Sequence, residues 1–113
     1  MAYSVEHWAF STPIGTGVGD TTLQAAPGAG RSLMVQRLTV VITTAAAQAF
    51  DIEDSDGTVE LFKAPASLAA TATVILDYGP LGVALTANTG LVFNTAAAGV
   101  GLTIAAHGYV REG

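Results

Sequence analysis

The sequence predicts an all-β fold, an antiparallel β-sandwich of jelly-roll type with about eight strands. Three observations predict it: short runs alternate apolar and polar residues with a period of two, turn residues punctuate those runs, and no stretch carries the 3.6-residue apolar period of an amphipathic helix. In "QAFDIED", Phe50 and Ile52 alternate with Asp51 and Glu53. In "TATVILD", Ala72, Val74 and Leu76 alternate with Thr71 and Thr73, and only Ile75 breaks the pattern. In "GVGLTIAAHGYVR", Val100, Leu102, Ile104, Ala106 and Val110 share one parity, against Thr103, Ala105, His107, Tyr109 and Arg111 on the other.

The first two strands are expected near Ser4 to Phe10 and Thr21 to Ala25, within a segment unlike the rest. "STPIGTGVGDTTLQAAPGAG" is Gly-rich, holds two of the four prolines, and has only Ile14, Val18 and Leu23 as large apolar groups. The third strand, Leu33 to Thr44, follows from the β-branched run "LMVQRLTVVITT". "SDG" at Ser55 to Gly57 separates a fourth strand, Ala47 to Glu53, from a fifth, Thr58 to Lys63. A sixth, Ala70 to Leu76, precedes the turn signals "YGPLG" and "ANTG", and at most one helical turn fits the alanines of Ala66 to Ala72. Leu91 to Thr95 and Val100 to Arg111 complete the set. The expected core is Leu38, Val40, Ile42, Phe50, Ile52, Val59, Leu61, Val74, Leu76, Leu91, Phe93, Leu102 and Ile104. "VITTAAAQAFDI" and "VFNTAAAGVGLTI" both read strand, Thr-Ala-Ala-Ala, strand, which predicts two similar hairpins.

One domain spans residues 1–113. Residues 32–113 form its sandwich core and 1–31 an arm-like segment, anchored by Trp8 and Phe10 on the sandwich or on a neighbouring subunit. An ordinary first strand followed by a long loop is the competing reading of that segment.

Half of the residues are hydrophobic and 12% are charged, against an average of about 25% charged. A surface so poor in charge is expected to be covered by Ala, Thr and Gly or buried against other chains, which predicts a homo-oligomer. Trp8, Phe10, Phe62 and Tyr109 are its candidate contact aromatics. With a net charge of −5 and only Arg31, Arg37, Lys63 and Arg111 as cations, no basic patch is available for direct nucleic-acid binding. No apolar run reaches the roughly 18 residues of a membrane span, and Met1 to Phe10 lacks a signal-peptide pattern. A soluble protein made in the cytoplasm is expected. The absence of cysteine removes disulfides, thiolate metal sites and thiol catalysis.

No motif carries catalytic or cofactor chemistry. "AAPGAGRS" has Ala25 where a P-loop has its first Gly and Arg31 where it has Lys, and a strand follows instead of a helix. In "DIEDSDGTVELFK", setting Gly57 at the sixth position of a calcium loop puts Ile52 at the first and Lys63 at the twelfth, where carboxylates are required. A hairpin with solvating charge on its tip and outer face is the simpler account. His7 and His107 are the only imidazoles, and no serine stands in a nucleophile-elbow context. The expectation is a non-enzymatic protein with no cofactor and no metal.

"LTVVITTAAAQAFDIEDSDGTVELFKAP" followed by "ATVILDYGPLGVALTANTGLVFNTAAAGVGLTIAAHGYV" resembles small tailed-bacteriophage virion proteins, above all head decoration or cement proteins. The resemblance covers about Leu33 to Val110 and rests on the "LTVVITT" strand, the acidic-Gly hairpin, "GPLG", "LTANTGL" and the closing "GYV". It implies a β-sandwich on the capsid exterior, usually a homotrimer, that clamps neighbouring subunits of the major capsid protein lattice. It brings no binding residue with it. A tail, fibre or carbohydrate-binding module of β-sandwich type is the alternative.

Overall fold

The computed structural model describes residues 6–14, 19–44, 50–64, 73–95 and 101–112. They form nine strands: β1 (His7–Ile14), β2 (Gly19–Gln24), β3 (Arg31–Thr44), β4 (Phe50–Asp54), β5 (Glu60–Ala64), β6 (Thr73–Asp77), β7 (Val83–Ala84), β8 (Leu91–Thr95) and β9 (Gly101–Glu112). One sheet runs β1-β9-β3-β6, with the short β7 also on β3, and the other runs β2-β8-β4-β5. All pairings are antiparallel. Apart from β7, the chain threads the two four-stranded sheets in the interleaved order of a jelly roll. The expected alanine helical turn at Ala66 to Ala72 lies outside the described residues.

The period-two reading places the core correctly. Leu38, Val40, Ile42, Phe50, Ile52, Leu91, Phe93, Leu102 and Ile104 are buried between the sheets, while Val59, Leu61, Val74 and Leu76 pack against them from the rim. Phe50 stands at the centre of an aromatic group, with ring centroids 5.3 Å from Phe93 and 5.8 Å from Phe62. Leu33 and Val35 join this core as well. Inward parity along β3 is odd through Val35 and even from Leu38, because a bulge between Val35 and Arg37 inserts Gln36 against β9.

Two expectations change. Residues 7–14 and 19–24 of the segment taken as arm-like are strands of the two sheets, with β1 paired to β9 from His7↔Tyr109 to Ile14↔Leu102. Trp8 faces inward, so its indole completes the core of its own subunit. The two Thr-Ala-Ala-Ala stretches do not close hairpins. β3 and β4 belong to opposite sheets, as do β8 and β9. Both flanks of β3 are already taken by β9 and by β6 with β7, so no place beside it is left for β4.

The close approach of β9 to β3 depends on Gly108. A Cβ there would stand 1.7 Å from the Met34 carbonyl oxygen and 2.8 Å from the Trp8 ring. Leu102→Ala is expected to cost about 2–5 kcal/mol in denaturant unfolding, as for a fully buried leucine. Gly108→Ala is expected to remove the cooperative transition, because backbone rather than a movable side chain blocks the new methyl group.

Candidate interaction surface

One end of the sandwich is built by loops 25–30, 55–59 and 85–90, which are bonded to one another. Asn88, at φ 55°, accepts from the Gly28 amide at 3.1 Å and donates its own amide to the Arg31 carbonyl at 2.7 Å. Asn tolerates this left-handed conformation better than most residues. The Ser55 hydroxyl accepts from the Gly90 amide at 3.0 Å, and the Ser55 amide returns to the Gly90 carbonyl at 2.9 Å. Arg31 bridges Glu6, Glu112 and the Pro27 carbonyl, tying the start of β3 to the chain before β1 and to the end of β9.

Asp54 is the centre of this end. It is fully buried, and both its carboxylate oxygens are occupied. Oδ1 accepts from the Thr58 and Val59 amides at 2.8 and 3.2 Å, and Oδ2 accepts from the Thr86 amide and hydroxyl at 3.1 and 2.7 Å. Burial alone pushes its pKa up, but the bonds from the Thr86 hydroxyl and amide and from Val59 outweigh it and hold the carboxyl below the ordinary range. Asp54 is therefore a staple across the β4–β5 and β7–β8 connections, not the solvating charge expected of the acidic hairpin. Its oxygens face hydrogen-bond donors instead of a cation site.

The four contact candidates fall in different places. Trp8 is buried, its Nε1–H donates to the Tyr109 carbonyl at 3.2 Å, and its ring stacks on Phe10 at 6.2 Å. Phe10 and Phe62 are half-buried against the core. Tyr109 lies on the outer face of the β1-β9-β3-β6 sheet, and its hydroxyl donates to the Leu81 carbonyl at 2.8 Å. None of the four is brought together with all the others.

Among the described residues the exposed large hydrophobic side chains are Ile75, 53% exposed, and Leu81, 78% exposed. Leu81 sits on the turn after β6, where the Gln36 amide group holds the Pro80 carbonyl at 2.7 Å and the Asp77 carboxylate holds the Gly79 amide at 2.9 Å. Gln36, Arg37, Asp77, Gly79, Pro80 and His107 line an open pocket of about 350 Å³ beside it. Across the rest of this outer face, register sets Ser11, Ala105, Thr39 and Ile75 in one row and Pro13, Thr103, Val41 and Thr73 in the next. These eight positions carry no charge. Ile75 was legible as the residue that broke the alternation of "TATVILD"; Leu81, in a turn, gave no comparable signal.

No protein-family model matches the sequence, and a search of curated proteins finds no match at a significant level. Solved structures give weak likenesses of overall shape. The chain is similar to a chain of the cyanophage Pam1 capsid asymmetric unit, at 17% identity and a TM-score of 0.49, covering 94% of this chain and 83% of that one. The Drosophila NLP-core, described for its pentamer formation and histone binding, aligns at 11% identity and 0.47, covering 92% and 98%. The virus-like particle of the Macrobrachium rosenbergii extra small virus aligns at 12% and 0.43, covering 97% and 82%.

Asp54→Asn is expected to cost about 1–3 kcal/mol at pH 7, because an amide NH₂ replaces an acceptor that faces donors. With its folded pKa depressed, the Asp54 contribution is complete above the unfolded value of about 3.9 and is lost as pH falls through the folded value. Denaturant unfolding between pH 7 and 2.5 should therefore show the gap between wild type and Asp54→Asn closing only at the acid end.

Proposed function

We propose that this protein is a non-enzymatic structural component of a virion, a head decoration or cement protein. It binds the outside of the capsid as a homotrimer and stabilises the major capsid protein lattice. The observation that carries the reading is how the described polar and aromatic groups are spent. The Asp54 carboxylate, the Arg31 guanidinium, the Trp8 indole and the Tyr78 and Tyr109 hydroxyls are all bonded within the fold, and eight adjoining positions of the outer sheet face, beside the row of Arg37, Asp77 and His107, carry no charge. Such a molecule is equipped for protein contact over area. The resemblance of Leu33 to Val110 to phage decoration proteins supports the same reading.

A tail, fibre or carbohydrate-binding module on the same sandwich is the second reading. Glycan modules present aromatic platforms to solvent, whereas here Trp8 is buried and Tyr78 is half-buried with its hydroxyl on the Leu61 carbonyl. That commitment favours the structural role. Binding to an assembled lattice in preference to loose subunits would stabilise the shell by mass action, with effective concentration supplied by one oligomer meeting several subunits.

Imaging particles made with and without the protein tests this. The expected outcome is density on the outside of the head that is lost without the protein, together with heads that rupture at lower temperature. Density confined to the tail would replace this reading with the second.

A further inference from the structure

Among the described residues the longer edge strands are β1 and β6 on one sheet and β2 and β5 on the other, with the two-residue β7 beside β3 on the β6 side. An open edge offers unpaired N–H and C=O groups to any extended chain, and folded proteins blunt it with proline, charge, bulges or cover. Three of these edges are blunted. The bond from the Val110 amide to the Glu6 carbonyl fixes the phase of β1, so that Trp8, Phe10 and Thr12 face β9. Pro13 then falls at an outward-facing position, where it has no N–H to offer. β2 is interrupted by a bulge between Thr22 and Gln24. β5 carries a register break at Leu61 between the charged Glu60 and Lys63, and the Tyr78 hydroxyl covers the Leu61 carbonyl at 3.1 Å.

β6 has none of these devices. "TVILD" contains no proline and no cation, pairs with β3 without a break, and among the described strands has β3 as its only neighbour. Its three consecutive aliphatic residues are Val74 and Leu76, half-buried at the rim, and Ile75, more than half exposed. The Tyr78 amide donates to the Gln36 carbonyl at 2.8 Å, continuing the register Arg37↔Asp77. Val74 and Leu76 therefore exchange bonds with β3, and the backbone groups of Thr73, Ile75 and Asp77 point to the open side.

We propose that the β6 edge is a twofold contact at which β6 of a second copy of this chain pairs antiparallel, centred on Ile75. The strand is complementary to itself in that register alone. Ile75 meets the partner's Ile75, Val74 meets the partner's Leu76, and Thr73 sets a hydroxyl donor against the carboxylate of the partner's Asp77. Oδ1 of Asp77 already accepts from Gly79, which leaves Oδ2 for the threonine. Three outward-facing residues on each strand exchange six backbone hydrogen bonds. The two Asp77 carboxylates sit four residues apart along the ladder, about 14 Å, beyond the screening length of about 8 Å at physiological salt. One continuous sheet results, with eight strands along its path, β1-β9-β3-β6 followed by its symmetry mate, and β7 beside β3 in each copy. The contact is isologous and closes at two copies, so it is separate from any threefold contact and does not rest on the capsid reading.

The chain has no cysteine, which makes the register directly testable. Directly opposite residues of a hydrogen-bonded pair have Cα atoms about 5.5 Å apart, within disulfide reach. Ile75→Cys is expected to give a covalent dimer on oxidation at micromolar concentration, at least tenfold more than Thr73→Cys under the same conditions. Thr73→Cys mixed with Asp77→Cys should cross-link to each other. Equal yields for Ile75→Cys and Thr73→Cys, or no dimer from either, would overturn the proposal. Ile75→Pro removes an outward N–H without breaking a bond to β3. The folded variant is expected to show half the wild-type mass by light scattering, and an unchanged mass would also overturn the contact. Should that variant fail to fold, the cross-linking result decides.

Discussion

β3 and β9 pair over twelve register positions, from Arg31↔Glu112 to Thr44↔Gly101, and the rest of the sandwich hangs on that ladder. The pair joins residues far apart in the chain, so closing it carries a larger entropic cost than a local pairing such as β4 with β5. What repays it is burial from both strands at once: Leu33, Val35, Leu38, Val40 and Ile42 on β3, with Leu102, Ile104 and Ala106 on β9, are all buried. β1 and β6 flank this ribbon, and β4 and β8 cover its apolar face with Phe50, Ile52, Leu91 and Phe93. Gly108 is the point where this ladder is tightest. The absence of a side chain there lets the Met34 carbonyl and the Trp8 ring approach it from the two neighbouring strands.

The same ladder explains what sequence reasoning found and what it missed. Strands with one buried face announce themselves by alternation, and each of the eight expected strands is present. β7 has only two residues and is defined by its pairing to Met34 and Val35, a long-range fact with no local pattern. The bulge at Gln36 does leave a trace, since "LMVQRLTVVITT" changes apolar parity across that residue. Trp8 carries no such trace. A tryptophan between His7 and Ala9 looks the same whether it anchors a neighbouring subunit or fills its own core, and only the pairing of β1 with β9 decides between them. Asp54 was hidden by company. Among Asp51, Glu53 and Asp56 it looks like one more solvated acid, and its role depends on Thr86, thirty-two residues away.

Two kinds of order meet at opposite sides of the β6 turn. Toward the loop-built end, polar atoms are paired with care: the Asp54 carboxylate has four donors, Asn88 and Ser55 each bind backbone from another segment, and Arg31 binds the Pro27 carbonyl of its own preceding loop. A buried carboxylate without such partners would cost several kcal/mol; with them it fixes the connections on which the sheet ends depend. Toward the outer sheet face the opposite holds. Ser11, Thr39, Thr73 and Thr103 alternate with Ala105, Val41, Pro13 and Ile75, and nothing there demands a particular partner.

That contrast bears on why a chain with so few charges remains a defined molecule. Lysine is the usual guard of an open edge, and this chain has one, on β5. Edge protection instead comes from backbone devices: a proline on β1, register breaks on β2 and β5, and a tyrosine hydroxyl laid across a free carbonyl. These devices block hydrogen bonding without adding charge, so the faces stay cheap to dehydrate. Burying a threonine or alanine face forfeits far less solvation than burying a charged one, and it gains little per residue in return. Affinity on such a surface has to come from area and from repetition. The proposed contact along β6, which among the described strands pairs with β3 alone, would add the missing element, because a strand ladder supplies register and direction where a smooth face supplies neither.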